Sequence, residues 1–382
     1  METKNKNYFN GIKSNYILKQ IFNNLNEYKT LQIVKYNYCY QKKLNLSLDD
    51  YINYKKIHLE IIPINIGEEN TFINFPEEHK SYFHIYFNND EKEINKNYFT
   101  NNEKVTKIKI IIDNEVTSLN GLFRFCECIE KINFIKFKRK NITDMSYMFA
   151  GCFSLKEINL DNFNVTNVKD SSYMFSGCSA LKQLNFKNFF NNKIIDMNYM
   201  FSYCASLEDI NLEKFNTKYV TKMNGMFRGC SSLKNLNLQY FNTNNVTDMN
   251  SMFLGCSFLE KIDIYNFDTS KVTNMSFMFY KCSALKELNL SNFKTNDVTN
   301  MEGMFCGCTL LEKLNINNFE TYNVKNMNFI FYKCSSVKEI NIGSFIIKNS
   351  VNIYNILYGA SDELKSKINN FYILNFRLSM PI

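Results

Sequence analysis

Apolar and polar positions recur along this chain with a step of 26 residues. One phenylalanine column runs from Phe123 through Phe149 and Phe175 to Phe331, and a second from Phe137 through Phe163 and Phe189 to Phe345. Neither has an exception in nine repeats. Cysteine keeps the same step from Cys126 to Cys334. Two methionine-rich columns precede the first phenylalanine: one runs from Met145 to Met327 and is broken by Ser171, the other from Met148 to Met304 and is continued by Ile330. Aliphatic columns start at Leu155, Ile158 and Leu160, and a β-branched one at Ile142 and Val168. A period kept this strictly is the signature of a repeat array.

The pattern also predicts the elements inside one unit. Leu155, Ile158 and Leu160 end in strict alternation, which predicts a short strand with Ile158 and Leu160 inward. Asp144, Asp196 and Asp248 precede the methionine-rich segment and predict caps for a short helical turn. Gly151 and its equivalents stand where that turn reverses, with Tyr203, Lys281 and Lys333 in the same slot of other units. One coil cannot bury two Phe, two Met, a Cys and four aliphatics alone. Coils stacked at roughly 4.8 Å can, which gives nine of them a length of about 40–45 Å.

Outside the array the periodicity changes. Ile17, Leu18, Ile21, Phe22 and Leu25 share one helical face, continued by Leu31, Val34 and Tyr38. Ser47-Leu-Asp-Asp has the form of a helix start. Strand patterns cover His58–Ile62, Tyr82–Phe87 and Val105–Ile112, with a polar bend at Asn88. After the array, Ile353, Ile356 and Leu357 keep the register, Ala360 replaces the cysteine, and Ser361–Phe371 predicts a closing helix. The expected division is a helical segment over 1–60, a β-rich cap over 61–105, the solenoid over 106–360 and a C-terminal cap or tail over 361–382.

Charge narrows the function classes. The formal net charge is +8 over 382 residues, but it is dispersed. Residues 1–60 carry 10 Lys against 5 acids, and residues 61–105 carry 4 Lys against 8 acids. So interleaved a balance argues against a nucleic-acid binder. The one dense basic run, Lys136, Lys138, Arg139 and Lys140, is a solvated loop or a docking patch for an acidic partner. No apolar stretch approaches 18 residues, so no membrane insertion is expected. The start of the sequence has no secretory pattern, which places the chain in the cytoplasm, or at the cell surface if a leader is missing.

Candidate chemistry is sparse. The cysteine column offers one thiol per coil in apolar surroundings, whereas zinc wants four clustered ligands, so buried core cysteines are expected and no metal. The C-x-C pairs Cys126/Cys128 and Cys306/Cys308 each combine a column cysteine with one outside it. His58, His79 and His84 all precede the array, and no nucleotide loop or H-E-x-x-H stands anywhere, so neither catalysis nor a cofactor is expected. An Asn column (Asn133, Asn159, Asn185, Asn211, Asn237, Asn289, Asn315 and Asn341, with Asp263 as its exception) alternates with the inward strand positions. It reads either as amides bonded to one another along the stack or as a polar recognition strip. Lys156/Glu157, Glu260/Lys261 and Lys338/Glu339 flank it as mixed-charge pairs.

The unit Met249-Asn-Ser-Met-Phe-Leu-Gly-Cys-Ser-Phe-Leu-Glu-Lys-Ile-Asp-Ile-Tyr-Asn-Phe-Asp-Thr-Ser-Lys-Val resembles the BspA-type leucine-rich repeat, and is similar to versions found in mycoplasma and other bacterial surface proteins and in protists. The likeness covers about residues 119–357. It implies an α/β repeat solenoid, a leucine-rich-repeat array of short parallel strands and short helical turns, here behind an N-terminal α+β cap. It also implies a protein-interaction or adhesion role. By analogy of fold, a protein partner is expected on the exposed strand face, at Glu157, Asn159, Asp161, Asn185, Asn211, Asn237, Asp263, Asn289 and Asn315. The run from Ile17 to Leu25, with Leu31 and Leu44, looks loosely like an F-box, which would make residues 14–47 the grip for a ubiquitin-ligase subunit.

Overall fold

The computed structural model describes residues 37–369 apart from 164, 187–192, 344 and 349, together with scattered positions before 37. Two short helices, α1 (Tyr38–Leu44) and α2 (Leu48–Lys55), lead into β1 (Ile57–Pro63), β2 (Glu69–Thr71), β3 (Phe83–Phe87), β4 (Tyr98–Thr100) and β5 (Ile108–Ile112). The array then contributes β6 (Ile129–Lys136), β7 (Glu157–Asn159), β8 (Gln183–Asn185), β9 (Asp209–Asn211), β10 (Asn235–Asn237), β11 (Lys261–Asp263), β12 (Glu287–Asn289), β13 (Lys313–Asn315) and β14 (Glu339–Asn341). Paired array strands are parallel and in register at a 26-residue offset, as in Ile132 against Ile158 and Leu314 against Ile340. The fold is a solenoid of stacked coils, as the periodicity implies, and of the leucine-rich-repeat kind that the resemblance implies.

One apolar core runs from Ile57 in the cap to Ile368 beyond the last coil. Its axis is the first phenylalanine column. Nine rings from Phe123 to Phe331 stack face to face with centroids 5.2–6.0 Å apart. Such stacking needs every coil to have the same length, which is the physical content of the unbroken period. Both methionine columns are fully buried beside the rings. Ser171, the break in one of them, sets its hydroxyl 3.1 Å from the Asp196 carbonyl, so the buried oxygen has a partner.

The segment expected as a helical turn is instead a pair of linked reverse turns. Tyr147 and Gly151 both have positive φ, at 57° and 75°, and the same two positions are left-handed in every coil from Gly121 to Gly359. Such residues cannot continue a right-handed helix. Alternate N–H groups therefore point along the stack: those of Met145, Tyr147, Phe149 and Gly151 donate to carbonyls of the next coil at 2.7–2.9 Å. Asp144 still caps the segment, accepting the Ser146 N–H at 2.9 Å. Beside it a file of single parallel bridges runs unbroken from Ser118 to Asn352.

Polar groups inside the core are also in register. Each column thiol from Cys152 to Cys334 donates to the phenylalanine carbonyl of the preceding coil, as Cys178 does to Phe149 at 3.2 Å. That carbonyl already accepts the Cys152 N–H of its own coil, so the thiol meets its second lone pair. A buried threonine column, Thr217 to Thr321, does the same across the stack. Thr269 Oγ1 donates to the Lys294 carbonyl and accepts the Lys294 N–H, both at 2.8 Å.

The ends are closed differently. In the cap, β1 pairs antiparallel with both β5 and β6, so a cap strand covers the free edge of the first array strand. The cap strands run from Ile57 to Ile112, beyond the expected 61–105 on both sides. Asn74 stands in for a missing coil: its Nδ2 donates to the Arg124 carbonyl at 2.7 Å and lies 3.6 Å from Cys126 Sγ, the column thiol with no coil before it. At the far end Ser361 Oγ accepts the Leu364 N–H, and a helix over 362–369 buries Leu364 and Ile368; position 371 of the expected closing helix lies outside the described residues.

The helical N-terminal segment has a small core of its own around Val34, Tyr40 and Tyr54, against which Ile21, Leu25 and Leu44 pack. Tyr38, expected on that face, is 79% exposed, and Tyr40 takes the inward position. Ile17 is exposed as well, while Leu18, Phe22 and Leu31 lie outside the described residues. Ser47 caps α2 in a reciprocal box with Asp50, as its sequence predicts.

Phe227→Ala removes a ring held between Phe201 and Phe253 and should cost about 3–5 kcal/mol, read as a lower urea midpoint; an unchanged midpoint would contradict the shared core. Burial pushes the thiols of Cys204, Cys256 and Cys308 up to about 12. Below the ordinary thiol value both folded and unfolded chains keep these protons. As pH rises from about 9 toward about 12 the unfolded chain releases them first, so stability falls across that window. Cys256→Ala should show a shallower fall in melting temperature between those limits. At neutral pH a bulky maleimide should label exposed Cys39 rapidly and leave the eleven buried thiols protected.

Candidate interaction surface

The parallel strands present one outward row per coil. Glu157, Asn159, Asn185, Asn211, Asn237 and Asn289 are exposed there, Asp161 follows in the turn, and Asp263 and Asn315 are half-buried. The structure therefore brings all nine expected positions onto one continuous face. Five of these amides bond within their own coil and not to one another along the stack. Asn159 Oδ1 accepts the Asp161 N–H at 2.9 Å, and Asn211, Asn237, Asn289 and Asn315 bond the N–H two residues on at 3.0–3.2 Å. A local ring of this kind costs less chain entropy than a contact between coils, which is why it wins. Each oxygen serves the turn, and the amide nitrogens define what the strip offers outward.

Charges on this face are answered across the coil boundary. Lys131 meets Glu157 at 2.9 Å, Lys156 meets Glu130 at 2.8 Å and Lys338 meets Glu312 at 3.1 Å. Lys313 lies between Glu287 and Glu339 at 3.5 and 3.8 Å. The hydrogen bond from Lys156 lowers the pKa of Glu130, and the one to Glu157 raises that of Lys131. These groups are solvent-exposed, so the pairs organise the surface more than they stabilise it. Two hollows cross the coil boundaries. One is lined by Asp209, Asn235, Glu260, Asp263 and Lys286 from four successive coils, the other by Lys313, Asn315, Glu339 and Asn341 with Glu363 and Lys367 of the closing turn and helix.

The basic run is not a free patch. Arg139 is buried and donates to the carbonyls of Asp113 (2.8 Å), Asn114 (3.0 Å) and Val116, closing the junction between cap and array. Lys136 donates to the Asn53 carbonyl at 2.9 Å, and Lys136 and Lys138 lie over the Tyr54 ring, so they hold α2 in place. Arg139 occupies the threonine column, a role no charge count reveals.

Other candidate chemistry disperses. Cys128 Sγ donates to the Thr71 carbonyl at 3.1 Å while Cys126 Sγ faces the Asn74 side-chain amide, so the two thiols of this C-x-C pair serve separate partners. Cys308 donates to Phe279, and Cys306 lies outside that file. Both ring nitrogens of His84 face carboxylates, Glu93 at 3.1 Å and Asp113 at 3.2 Å, a clasp between cap segments. Burial first, and then Lys136, Lys109 and Lys56, lowers the pKa of His58. Among the described residues no helix is long and apolar enough to cross a membrane.

A second surface lies over the left-handed turns. Tyr147, Tyr173 and Tyr199 stack with centroids 4.6 and 4.8 Å apart. The Tyr199 ring then covers Gly225, where a Cβ would come within 2.2 Å of it. An aromatic residue at this left-handed position is thus followed in the next coil by glycine or another stacked ring, except at the end of the array, where Asn355 follows Phe329. Phe277 repeats the rule over Gly303.

The family described as "Mycoplasma protein of unknown function, DUF285" matches the chain over residues 93–210, 117–236, 195–289 and 284–377, well over half of its length. The crystal structure of a leucine-rich repeat protein from Bacteroides ovatus ATCC 8483 is similar at 17% identity with a TM-score of 0.37, over 73% of this chain and 78% of that chain. No curated protein is similar enough to match. The matches begin at residue 93, and most of 14–36 lies outside the described residues, so the F-box likeness of 14–47 rests on its sequence alone.

Proposed function

We propose that this chain, which belongs to the Mycoplasma protein family of unknown function DUF285, acts as a non-enzymatic scaffold that holds a protein partner on its strand face. The observation that supports this reading most is the hollow lined by four successive coils. Its apolar floor is constant from coil to coil, while its rim changes from Asp209 to Asn235, Lys261 and Glu287. A surface of that kind offers shape through the repeat and selectivity through the variable positions. The exposed nitrogens of Asn211, Asn237 and Asn289 supply donors beside it. A cytoplasmic setting belongs to the same proposal and is supported by twelve free cysteines.

The test uses the full chain as bait and compares partner capture by the parent with that by a variant combining Asp209→Lys, Glu260→Lys and Glu287→Lys. Loss of a captured protein by about tenfold, with an unchanged melting temperature, is the expected result. Retention of the same partner at parental yield would move the binding function off this face.

A further inference from the structure

We propose that the face over the left-handed turns is a second binding surface, for an extended acidic segment of a partner protein. Three columns make this face: the two left-handed positions and the residue before the second of them. From Gly121 to Gly359 they hold thirty positions, and none is Asp or Glu. Every charge in them is positive: Arg124, Arg228, Lys281 and Lys333. Ten positions are Phe or Tyr.

These cations differ from most lysines of the strand face. Five of those, Lys131, Lys156, Lys182, Lys313 and Lys338, lie within 4.0 Å of a glutamate. Among the described residues no carboxylate stands that close to Arg124, Arg228, Lys281 or Lys333. They rest on rings instead. Arg124 lies 5.0 Å from both Phe125 and Tyr147, Arg228 5.5 Å from Tyr203, Lys281 5.3 Å from Tyr280 and Lys333 5.5 Å from Tyr332. Among the described residues no hydrogen-bond partner meets Arg228 Nε, which lies buried beneath this face. The bordering carboxylates do not answer it. Asp144, Asp170, Asp196 and Asp248 each accept an N–H of their own coil, from Asn274 onward that column is asparagine, and Glu302, beside Gly303, accepts the Asn326 side-chain amide at 3.0 Å.

Geometry selects the class of partner. Tyr147, Tyr173 and Tyr199 spend their faces on one another, so they turn ring edges and hydroxyls outward. Single-stranded nucleic acid needs open faces for its bases. Ring edges carry the positive end of the aromatic quadrupole and suit carboxylates. The cations are strung along the stack instead of clustered as an anionic membrane surface prefers. Arg228, Lys281 and Lys333 stand two coils apart, about 10 Å at strand spacing, and an extended chain covers that in about three residues. A segment of about twelve residues with an acid at every third position would reach from Arg124 to Lys333.

The test titrates the full chain against a labelled peptide of about that length, with glutamate at every third position, and reads fluorescence anisotropy at low salt. Saturable binding is expected, weakening as salt rises and falling about tenfold or more in K281E/K333E. K313E/K338E, on the strand face, should stay within about twofold. All four positions are charged and solvent-accessible, and an unchanged melting temperature confirms folding. The proposal is overturned if the parent shows no saturable binding, if the strand-face variant loses as much as K281E/K333E, or if single-stranded RNA or anionic vesicles bind the same residues more tightly than the peptide. Because the strand-face substitutions leave this surface intact, failure of either proposal leaves the other standing.

Discussion

Stacking of one phenylalanine ring on the next constrains everything else in this molecule. The rings from Phe123 to Phe331 keep a nearly constant separation, and a coil one residue longer or shorter would carry its ring out of the file. The period of 26 is thus a packing requirement. No coil has an interior of its own, since the rings, methionines and leucines of each are covered only by its neighbours. Stability is therefore held in common along the stack, with the cap and the closing helix as the two places where it must end.

Burying nine backbone turns requires an equally regular treatment of polar groups. Cysteine suits its column because a thiol is small and weakly polar, yet still donates to the second lone pair of a phenylalanine carbonyl. Threonine suits its column because one hydroxyl both donates to and accepts from the next coil. Where the cysteine file starts, Asn74 completes it, and Arg139, in the threonine column three coils before Thr217, bonds three cap carbonyls. The cap is better described as a substitute coil than as a separate unit.

Much of this was legible in the sequence, and the rest was hidden for a definite reason. Periodicity reports burial, so the phenylalanine, methionine and cysteine columns, the strand register and the nine strand-face positions could all be read directly. The Ser47 cap was legible because its chemistry is local. Hydrogen-bond partners in other coils leave no such trace. The threonine file looks like a polar bend, the asparagine column looks like an amide ladder, and Arg139 looks like part of a basic patch. The left-handed turns were hidden because Tyr199 and Phe277 stand where glycine is usual, and only Gly225 and Gly303 in the following coils give them away.

The shared interior can be tested by changing coil number and coil length separately. Excision of residues 230–255 removes one whole coil and rejoins Gly229 to Cys256 in register. That chain should unfold in a single cooperative transition, slightly below the parent in midpoint. Deletion of Asn244 alone removes far less material but breaks the register, and should abolish or split the transition. A chain that tolerates loss of Asn244 as well as it tolerates loss of a whole coil would contradict the account.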